Sequence, residues 1–372
     1  MRAGLGVGMV PVGRRNLFAD RRRLVISLGG VAAAIALILF LQGLWLGFQR
    51  QITAYEDNVG ADLFIAESGT RSFLGESSAL SMETVTKILA VPGVERADPI
   101  VSRDAVLDLH GREQFATVIG WRPGDLGGPW ALAQGRVSRA PDEAVIDEGL
   151  ASEHDLRIGE TIDILGEPFR IVGLSEGTRS WMFGFVFVTF DAALALGQAP
   201  STVSFVLVTT QDPQAVARRI RDGMGLSALS PVEMRTNDRA LIAKSIAGPI
   251  DLMVAIAFAA GTLIVALTVY SQVTERIREY GIAKAMGARG SRLFRIVLEQ
   301  TMILALLGAA AAFPMFLAAA KLVNVLRPQF ETDLSGSVAL IVTGAAALMA
   351  LLAAFLPTRR VTRLDPASVY RG

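Results

Sequence analysis

The sequence contains no cysteine, so no disulfide can hold any part of the chain together. It contains only two histidines, His110 and His154, and neither belongs to an HExxH pattern. Because metal sites in proteins need a cluster of ligands, we interpret both histidines as ordinary surface or turn residues. The sequence therefore predicts no metal site.

Short catalytic motifs are also missing. There is no GxxxxGK[ST] phosphate loop, which excludes nucleotide binding in the P-loop manner, and there is no GxSxG nucleophile elbow. A stand-alone membrane enzyme would need a catalytic constellation, and none is present. We therefore predict that the chain is not itself an enzyme and binds no cofactor.

Charged residues are scarce, at 19% of the chain, whereas 52% of residues are hydrophobic and the mean hydropathy is +0.44. This composition is too apolar for an ordinary soluble domain. A helix needs about 20 apolar residues to cross a bilayer. The first long apolar segment exceeds a signal-peptide core and no small-x-small cleavage site follows it, so we expect a retained helix. The predicted spans are residues 24–48, 249–274, 296–320 and 334–357.

The basic residues predict how these spans are oriented. Six Arg residues lie in 1–23, six Lys or Arg residues lie in 275–295 and four lie in 358–372, whereas 321–333 contains two. Lys and Arg stay on the cytoplasmic side of membranes. Both termini and segment 275–295 are therefore predicted to be cytoplasmic, which leaves residues 49–248 and the loop 321–333 outside. The basic residues indicate this topology and not nucleic-acid binding.

Two features belong to the first span and its flank. Arg21, Arg22 and Arg23 fit an amphipathic segment within residues 1–23 that lies on membrane lipid phosphates, or equally a simple stop-transfer flank. Gly43 and Gly47 form a GxxxG pair, which could let a second helix pack closely. Such a pair also arises by chance in a glycine-rich helix.

The external segment 49–248 is predicted to fold as an α+β domain, since it is large enough to bury its own core. Its first and last parts each read as a strand followed by a helix, and these two halves are expected to meet in one sheet with helices on one face. An insert at 122–200 is predicted to be a mostly β subdomain. The predicted strands outside the insert are 61–66, 94–100, 105–109, 115–120 and 203–209. The predicted helices are 81–90, capped by Ser81, a helix from Asp212 and Pro213 to about 222, and a helix from about Asn237 into the second span.

The insert contains an aromatic stretch, WMFGFVFVTF, at residues 181–190. One interpretation is a strand buried in the core, which is where aromatic strands usually lie. The other is an exposed apolar patch that meets a lipid-like cargo or a partner protein. Both stay open, with the core favoured. The patch residues would be Trp181, Met182, Phe183, Phe185 and Phe187.

Segment 275–295 is a short charged stretch between two apolar spans. Residues 275–286 are predicted to form a helix that Gly287 ends in a left-handed cap, and Ser291 is predicted to cap the helix that enters the third span. Glu299 and Gln300, at the start of that span, are interpreted as interfacial residues.

The composition of this segment favours a protein partner over lipid. A loop that only anchors to lipid needs Lys and Arg, whereas this one also has Glu275, Glu279 and a small apolar strip, Gly281-Ile282-Ala283. Such a strip with mixed charges suits docking of the helix into a groove on another protein.

The same segment, ERIREYGIAKAMGARGSRLFR, resembles the coupling segment of FtsX-like permeases, the membrane subunits of macrolide-exporter and lipoprotein-releasing (type VII) ABC transporters. The chain ending RRVTRLDPASVYRG is similar to the family's ending at Asp365, Pro366 and Ala367, and the resemblance extends over the whole chain. The residues of 275–288 that match the family pattern are Glu275, Arg276, Glu279, Gly281, Ile282, Lys284, Ala285, Met286, Gly287 and Ala288.

The resemblance implies a protein of the bacterial cytoplasmic (inner) membrane, with four transmembrane helices and a large α+β domain between the first two. It implies a homodimer or heterodimer of permeases bound to two copies of a separate cytoplasmic ATPase, which binds the ATP and Mg. The coupling helix would sit in a groove of that ATPase. Charged contacts would come from Arg276, Arg278 and Lys284, and apolar contacts from Ile282 and Met286.

Two functions remain open on this basis. The first is export or extraction of a hydrophobic or lipid-like compound, driven by ATP hydrolysis in the partner. The second is mechanotransmission without a cargo, in which the moving external domain activates an extracytoplasmic partner such as a cell-wall hydrolase. A continuous apolar groove on the external domain would favour transport, and a polar surface would favour signalling.

Overall fold

The computed structural model describes residues 21–179, 184–197, 202–326 and 336–362. The described residues fall into two units. The membrane unit contains residues 21–46, 249–325 and 336–362. The external unit contains residues 47–248 without the gaps just given, together with Leu326.

The described residues contain ten helices and twelve strands, joined by turns and loops. The helices are α1 (Arg21–Ile52), α2 (Ala54–Asn58), α3 (Met82–Leu89), α4 (Glu148–Glu153), α5 (Phe190–Ala195), α6 (Pro213–Met224), α7 (Pro231–Glu275), α8 (Ile277–Ala285), α9 (Gly290–Leu326) and α10 (Gly336–Thr362). The strands are β1 (Leu63–Ala66), β2 (Leu80–Ser81), β3 (Arg96–Leu109), β4 (Arg112–Trp121), β5 (Leu132–Gly135), β6 (Glu143–Asp147), β7 (Thr161–Ile164), β8 (Glu167–Ser175), β9 (Gly184–Thr189), β10 (Thr202–Val203), β11 (Phe205–Thr209) and β12 (Ser227–Leu229).

Four of the helices, α1, α7, α9 and α10, are long and apolar enough to cross a membrane. Together with the large sheet-rich domain between the first two, they confirm the predicted fold class. The candidate spans are Leu24–Ile52, Ile246–Glu275, Gly290–Val325 and Leu340–Arg359. The middle two are longer than predicted. The second span begins at Ile246, within the helix predicted from about Asn237, and the third begins at Gly290, next to the predicted cap at Ser291.

Small residues set the closest approaches within the membrane unit. A Cβ placed on Gly308 of α9 would lie 2.5 Å from Val31 Cγ1 of α1. A Cβ on Gly261 of α7 would lie 3.0 Å from Ala34 Cβ and 3.2 Å from Met349 Sδ of α10. Gly261 and Gly308 therefore let the helices pack closely, as small residues commonly do in membranes. The sequence pattern missed both.

The predicted GxxxG pair lies elsewhere on α1. Gly43 and Gly47 are both buried, so neither faces open surface. The role of this pair in packing stays a prediction.

The strands of the external unit form one large mixed sheet. Their order is β12-β1-β11-β3-β4-β9-β6-β8-β5, and β7 pairs with β3 and β8. The β4–β9 and β6–β8 pairs are parallel, and β2 and β10 form a separate two-stranded sheet. Strands β1 and β11, from opposite ends of the external segment, are neighbours. This confirms that the two halves meet in one sheet.

The insert at 122–200 is mostly β, but its strands continue this same sheet instead of forming a separate one. The connection is the long hairpin β3–β4. Strand β3 pairs with β11 through its first residues and with β4 through the rest, and β4 pairs in parallel with β9 of the insert. The subdomain boundary expected at residue 122 is therefore absent from the sheet.

Strand β3 also corrects the prediction of two strands at 94–100 and 105–109. The polar residues between them belong to the strand, where Ser102 and Asp104 have hydrogen-bond partners and Arg103 Nε has none among the described residues. The Ser102 N–H donates to Ser204 Oγ at 2.9 Å, and Thr117 Oγ1 donates to Asp104 Oδ1 at 3.0 Å. Ser204, in turn, interrupts the predicted strand 203–209 and separates β10 from β11.

The large sheet is covered by a hydrophobic core on each face. Alternate residues of a strand point to opposite sides, so each strand contributes to both cores. On β11, Val206 and Val208 belong to a core that includes residues of α3 and α6. Phe205 and Leu207 belong to a second core on the other face, which is rich in aromatic rings. Helices α3 and α6 thus share one face, as predicted.

The aromatic strand β9 follows the same alternation. Phe185 and Phe187 are 1% and 0% exposed and lie in the aromatic core, where Trp130 contacts both rings edge-on. The buried-strand interpretation is therefore confirmed for these two residues, and they form no exposed patch. Trp181, Met182 and Phe183 lie outside the described residues.

Candidate functional site

The segment that joins α7 to α9, residues 275–289, is the candidate site, and we refer to it as the coupling segment. Helix α7 ends at Glu275, and Arg276 has φ −104° and ψ 22°, outside the helical region. Helix α8 then begins at Ile277. The predicted single helix from residue 275 is therefore wrong at its start, because the chain bends at Arg276 before the short helix forms.

The C-terminal end of α8 is a Schellman motif. Gly287 has φ +91°, its N–H donates to Lys284 O at 3.0 Å, and the Ala288 N–H donates to Ala283 O at 3.0 Å. A left-handed residue at this position favours glycine, so the predicted role of Gly287 is confirmed. Ser291 does not cap α9, which already begins at Gly290.

One side of α8 faces outward and has two exposed apolar side chains, four residues apart. Ile282 is 44% exposed and Met286 is 78% exposed, and residues four apart lie on the same helix face. Their exposed neighbours are charged or small. The exposed residues of the segment are Glu275, Arg278, Glu279, Ile282, Ala285, Met286, Gly287 and Arg289.

The strip Gly281-Ile282-Ala283 does not form one outward face, because consecutive residues point in different directions around a helix. Gly281 is buried and Ala283 is half-buried, so only Ile282 of the three is exposed. Arg276, Lys284 and Ala288 are half-buried. The outward apolar pair is therefore Ile282 and Met286.

The charges of the outward face interact weakly with one another. Arg276 Nη1 lies 3.6 Å from Glu279 Oε1, and the Glu279 side chain is 59% exposed. Exposed ion pairs one helical turn apart contribute only about 0.3–0.5 kcal/mol. Their main effect is to present alternating charges around the apolar pair.

Tyr280 fastens the inward side of α8 to α9. It is 5% exposed and belongs to the same core as Leu293 and Val297 of α9. Burial raises the pKa of the Tyr280 hydroxyl, and a hydrogen bond with the Gln300 side chain lowers it in part. Gln300 is 1% exposed. Its interpretation as an interfacial residue stays a prediction, and its side chain contacts Tyr280 of α8.

A cavity of about 300 Å³ opens between α8 and the start of α9. Its walls are mainly apolar, with two charged side chains, Glu279 and Arg292, among them. Met286, the most exposed apolar side chain of the segment, stands at this cavity. The lining residues are Glu279, Tyr280, Ala283, Met286, Gly287, Ala288, Arg292, Leu293 and Ile296.

The described residues contain no group of three or more His, Asp or Glu side chains that could hold a metal ion. His110 lies at a β-turn with φ +55°, and its Nε2 is 3.9 Å from Glu160 Oε2. Burial lowers the pKa of His154. These two side chains are on separate turns, with no shared ligand.

Two domain-family profiles match the chain. Residues 24–222 match the MacB-like periplasmic core domain, and residues 252–366 match the FtsX-like permease C-terminal domain. The first match includes α1 and most of the external unit. The second includes the rest of the membrane unit and the whole coupling segment.

Individual proteins are similar over nearly the full chain. An uncharacterized ABC transporter permease of Mycobacterium tuberculosis H37Rv is 25% identical over 366 residues, which cover 96% of this chain and 98% of the relative. The macrolide export ATP-binding/permease protein MacB of Rhodopseudomonas palustris is 24% identical over 380 residues, which cover 94% of this chain and 58% of the relative. The crystal structure of the periplasmic region of MacB from Actinobacillus actinomycetemcomitans covers 49% of this chain and 94% of that one, at 13% identity and a TM-score of 0.37.

Proposed function

Since this chain belongs to the FtsX-like permease family of ABC transporters, with a MacB-like periplasmic core domain, we propose that it couples ATP hydrolysis by a separate ATPase to movement of its external domain. The ATPase would bind the coupling segment. The single observation that carries this proposal is the exposed pair Ile282 and Met286, held outward on a short helix whose other side is fixed by Tyr280.

The outward face of α8 has the properties of a small protein-binding surface. Large side chains of Met and Ile are exposed where a soluble surface would favour polar residues. Arg278 and Glu279 flank them with charges of both signs. An amphipathic helix with an apolar anchor pair and a charged rim fits a hydrophobic groove on a partner.

The partner supplies the nucleotide-binding site, because the sequence contains no phosphate loop of its own. The MacB relative, which is named an ATP-binding/permease protein, is longer than this chain, and the match covers 58% of it. A pair of permeases with two ATPase copies, which bind ATP and Mg, is the assembly we propose.

The topology follows from the distribution of basic residues. With the coupling segment on the cytoplasmic side, both termini are cytoplasmic and residues 49–248 lie outside. Helix α7 supports transmission of movement between the two sides. It continues without a break from Pro231 to Glu275, although Pro249 removes one of its internal hydrogen bonds.

Export of a hydrophobic compound is the first candidate for what this movement achieves, and the relative named for macrolide export supports it. Mechanotransmission is the second candidate. It is favoured by a cavity of about 490 Å³ in the external unit, whose walls include Arg103, Asp104, Glu76 and several Ser and Thr side chains. A polar cavity of this kind suits a polar partner better than a hydrophobic cargo.

The ATPase-docking proposal is tested by co-purification with a candidate ATPase from the same organism. We expect Met286→Asp and Ile282→Asp to abolish association, since each would place a carboxylate in an apolar contact. Leu89→Asp is the matched control, because Leu89 is a 52% exposed apolar residue of the external unit. Full association of both coupling-segment variants would rule out docking through this face.

The two candidate activities are separated by ATP turnover of the purified complex in lipid nanodiscs. Macrolides and lipid-like compounds should stimulate turnover if the complex exports them. If the rate of ATP turnover does not change with such compounds, but changes when an extracytoplasmic protein is added, mechanotransmission is favoured instead.

A further inference from the structure

Two carboxyl groups meet inside the external unit where the chain arrives from the first span and leaves for the second. Glu56 lies on α2, directly after α1, and Asp238 lies on α7. They are 3% and 0% exposed. Buried carboxyl groups are rare unless each has a partner.

Asp238 has its partners in the loop at residues 71–76. Its Oδ1 accepts a hydrogen bond from the Ser72 hydroxyl. The Phe73 N–H donates to both carboxylate oxygens of Asp238, at 3.1 and 3.2 Å. The side chain of Asn237 adds a bond from Nδ2 to Arg71 O at 3.1 Å. Helix α7 is therefore fastened to this loop by side chains of two consecutive residues.

Glu56 has no such partners. Among the described residues neither of its carboxyl oxygens meets a hydrogen-bond donor, and the group that it faces is the carboxyl of Asp238. Two carboxylates cannot hydrogen-bond to each other, since both only accept. A carboxylic acid can donate to a carboxylate, and one proton would satisfy this pair.

We propose that Glu56 and Asp238 form a buried proton-binding site, and that the bound proton keeps loop 71–76 fastened to helix α7. The proton resides on Glu56, which donates to Asp238, while Asp238 accepts from the Ser72 hydroxyl and the Phe73 N–H. When the proton leaves, two negative charges face each other without water. Opening of the loop then hydrates them.

The charges around the pair agree with this assignment. Burial raises the pKa of Glu56 well above its ordinary value, and the hydrogen bond with Asp238 and the negative charge of Asp238 raise it further. The backbone N–H of Glu56 lowers it in part, and the charge of Asp57 adds a smaller increase. The two arginines of α7 contact other groups, although Arg239 Nε has no hydrogen-bond partner among the described residues. Arg235 Nη1 lies 2.5 Å from Asp57 Oδ1, and Arg239 Nη2 donates to Thr53 Oγ1 at 3.0 Å.

The remaining titratable groups around the pair do not neutralise it. Tyr55, next to Glu56, is buried, and burial raises the pKa of its hydroxyl. In the loop, Glu76 Oε2 accepts from the backbone N–H groups of Arg71 at 2.5 Å and Ser72 at 3.3 Å. Glu76 therefore holds the loop together and supplies no positive charge to Glu56.

The site makes a quantitative prediction about opening. In the closed form Glu56 keeps its proton, whereas in the hydrated open form it ionises near pH 4.5. Between these two pKa values each opening event releases one proton. The equilibrium constant for opening should therefore rise about tenfold per pH unit.

The test is hydrogen exchange by mass spectrometry on the full chain in nanodiscs, from pH 5 to pH 8, after correction for the intrinsic exchange rate. For the wild type we expect protection of the 71–76 peptide to fall as the pH rises, by up to about tenfold per pH unit while Glu56 keeps its proton in the closed form. Glu56→Gln should remove this slope and keep protection at pH 8, because an amide donates to Asp238 without titrating. Glu83→Gln, an exposed carboxylate that pairs with Lys87 at 2.8 Å, should keep the slope.

Several outcomes would overturn the proposal. Wild-type protection of the 71–76 peptide that does not change with pH would show that the pair holds no proton. This outcome is measured on the wild type and does not require any variant to fold. An equal slope in Glu56→Gln would assign the proton to another group. If protection of the 71–76 peptide rises with added Na⁺, K⁺ or Mg²⁺ and does not depend on pH, the carboxyl pair binds a metal cation instead.

Discussion

Arg136 and Glu143 form a two-pronged ion pair, with Nη1 2.7 Å from Oε2 and Nη2 2.5 Å from Oε1. The backbone N–H groups of Arg139 and Ala140 also donate to Oε2, at 3.0 and 3.3 Å. Glu143 is the first residue of β6 and Arg136 directly follows β5, so the pair fixes the connection between two strands of the insert. Its hydrogen bonds with Arg136 are the main reason that the pKa of Glu143 falls to about 2.

This ion pair predicts a specific dependence of stability on pH. Because the pKa of Glu143 is lower in the folded chain than its ordinary value of 4.5, its stabilisation is fully present above pH 4.5 and is lost as the pH falls towards 2. We expect Glu143→Gln to lower the free energy of unfolding by about 2 kcal/mol at pH 7, with a smaller difference at pH 3. Denaturant unfolding of the full chain in detergent, followed by tryptophan fluorescence, measures both values.

Arg170 provides the control for this measurement. Its Nη2 lies 3.3 Å from Glu143 Oε1 and its side chain is 54% exposed. Exposed, single contacts of this kind are worth about 0–1 kcal/mol. Arg170→Gln should therefore change stability little, and losses of equal size in Arg170→Gln and Glu143→Gln would contradict the assigned role of the two-pronged pair.

The coupling segment gives a second prediction, which concerns Tyr280. Replacing this buried ring by Ala should cost about 3–5 kcal/mol of local packing and loosen α8 from α9. Limited trypsin digestion of the full chain should then cleave faster at Arg278 and Lys284, both on α8. Met286→Ala changes the exposed side of the same helix and should leave the cleavage rate unchanged. Slow cleavage of Tyr280→Ala would show that other contacts hold α8.

Local sequence signals predicted the parts of the fold that depend on near neighbours. Ser81 caps α3 by accepting from the Thr84 N–H at 3.2 Å, and Asp212 caps α6 by accepting from the Ala215 N–H at 3.0 Å. Gly287 was predictable for the same reason, since a left-handed cap needs only the residues of one turn. The four spans followed from hydropathy alone.

Contacts between distant residues were not predictable in this way. Ser72 and Asp238 are 166 residues apart in the chain, and nothing in either neighbourhood indicates that they bond. The burial of Tyr280 was missed because its partners lie on the next helix. The reading of Gly281-Ile282-Ala283 as one face failed for a local reason, because consecutive residues of a helix point in different directions and Gly281 points inward.

Gly308 supplies a third prediction, about the membrane unit. A Cβ at this position would lie 2.5 Å from Val31 Cγ1 and 3.1 Å from Val31 Cβ, so rotation of the valine cannot remove both contacts. We expect Gly308→Ala to separate α9 from α1 and to destabilise the unit by about 1–3 kcal/mol, which is typical of overpacking. Loss of helical circular dichroism during titration with SDS measures this change.

Gly344 of α10 is the matched control, because a Cβ there meets nothing within 4 Å. In a helix, alanine is favoured over glycine by about 0.8–1.0 kcal/mol, so Gly344→Ala should be neutral or stabilising. If both alanine variants unfold at the same SDS concentration as the wild type, the approach of Gly308 to Val31 is not the close packing that the distances indicate. Destabilisation of Gly308→Ala alone would identify a glycine, in a position that no GxxxG pattern marks, as the residue on which this helix pair depends.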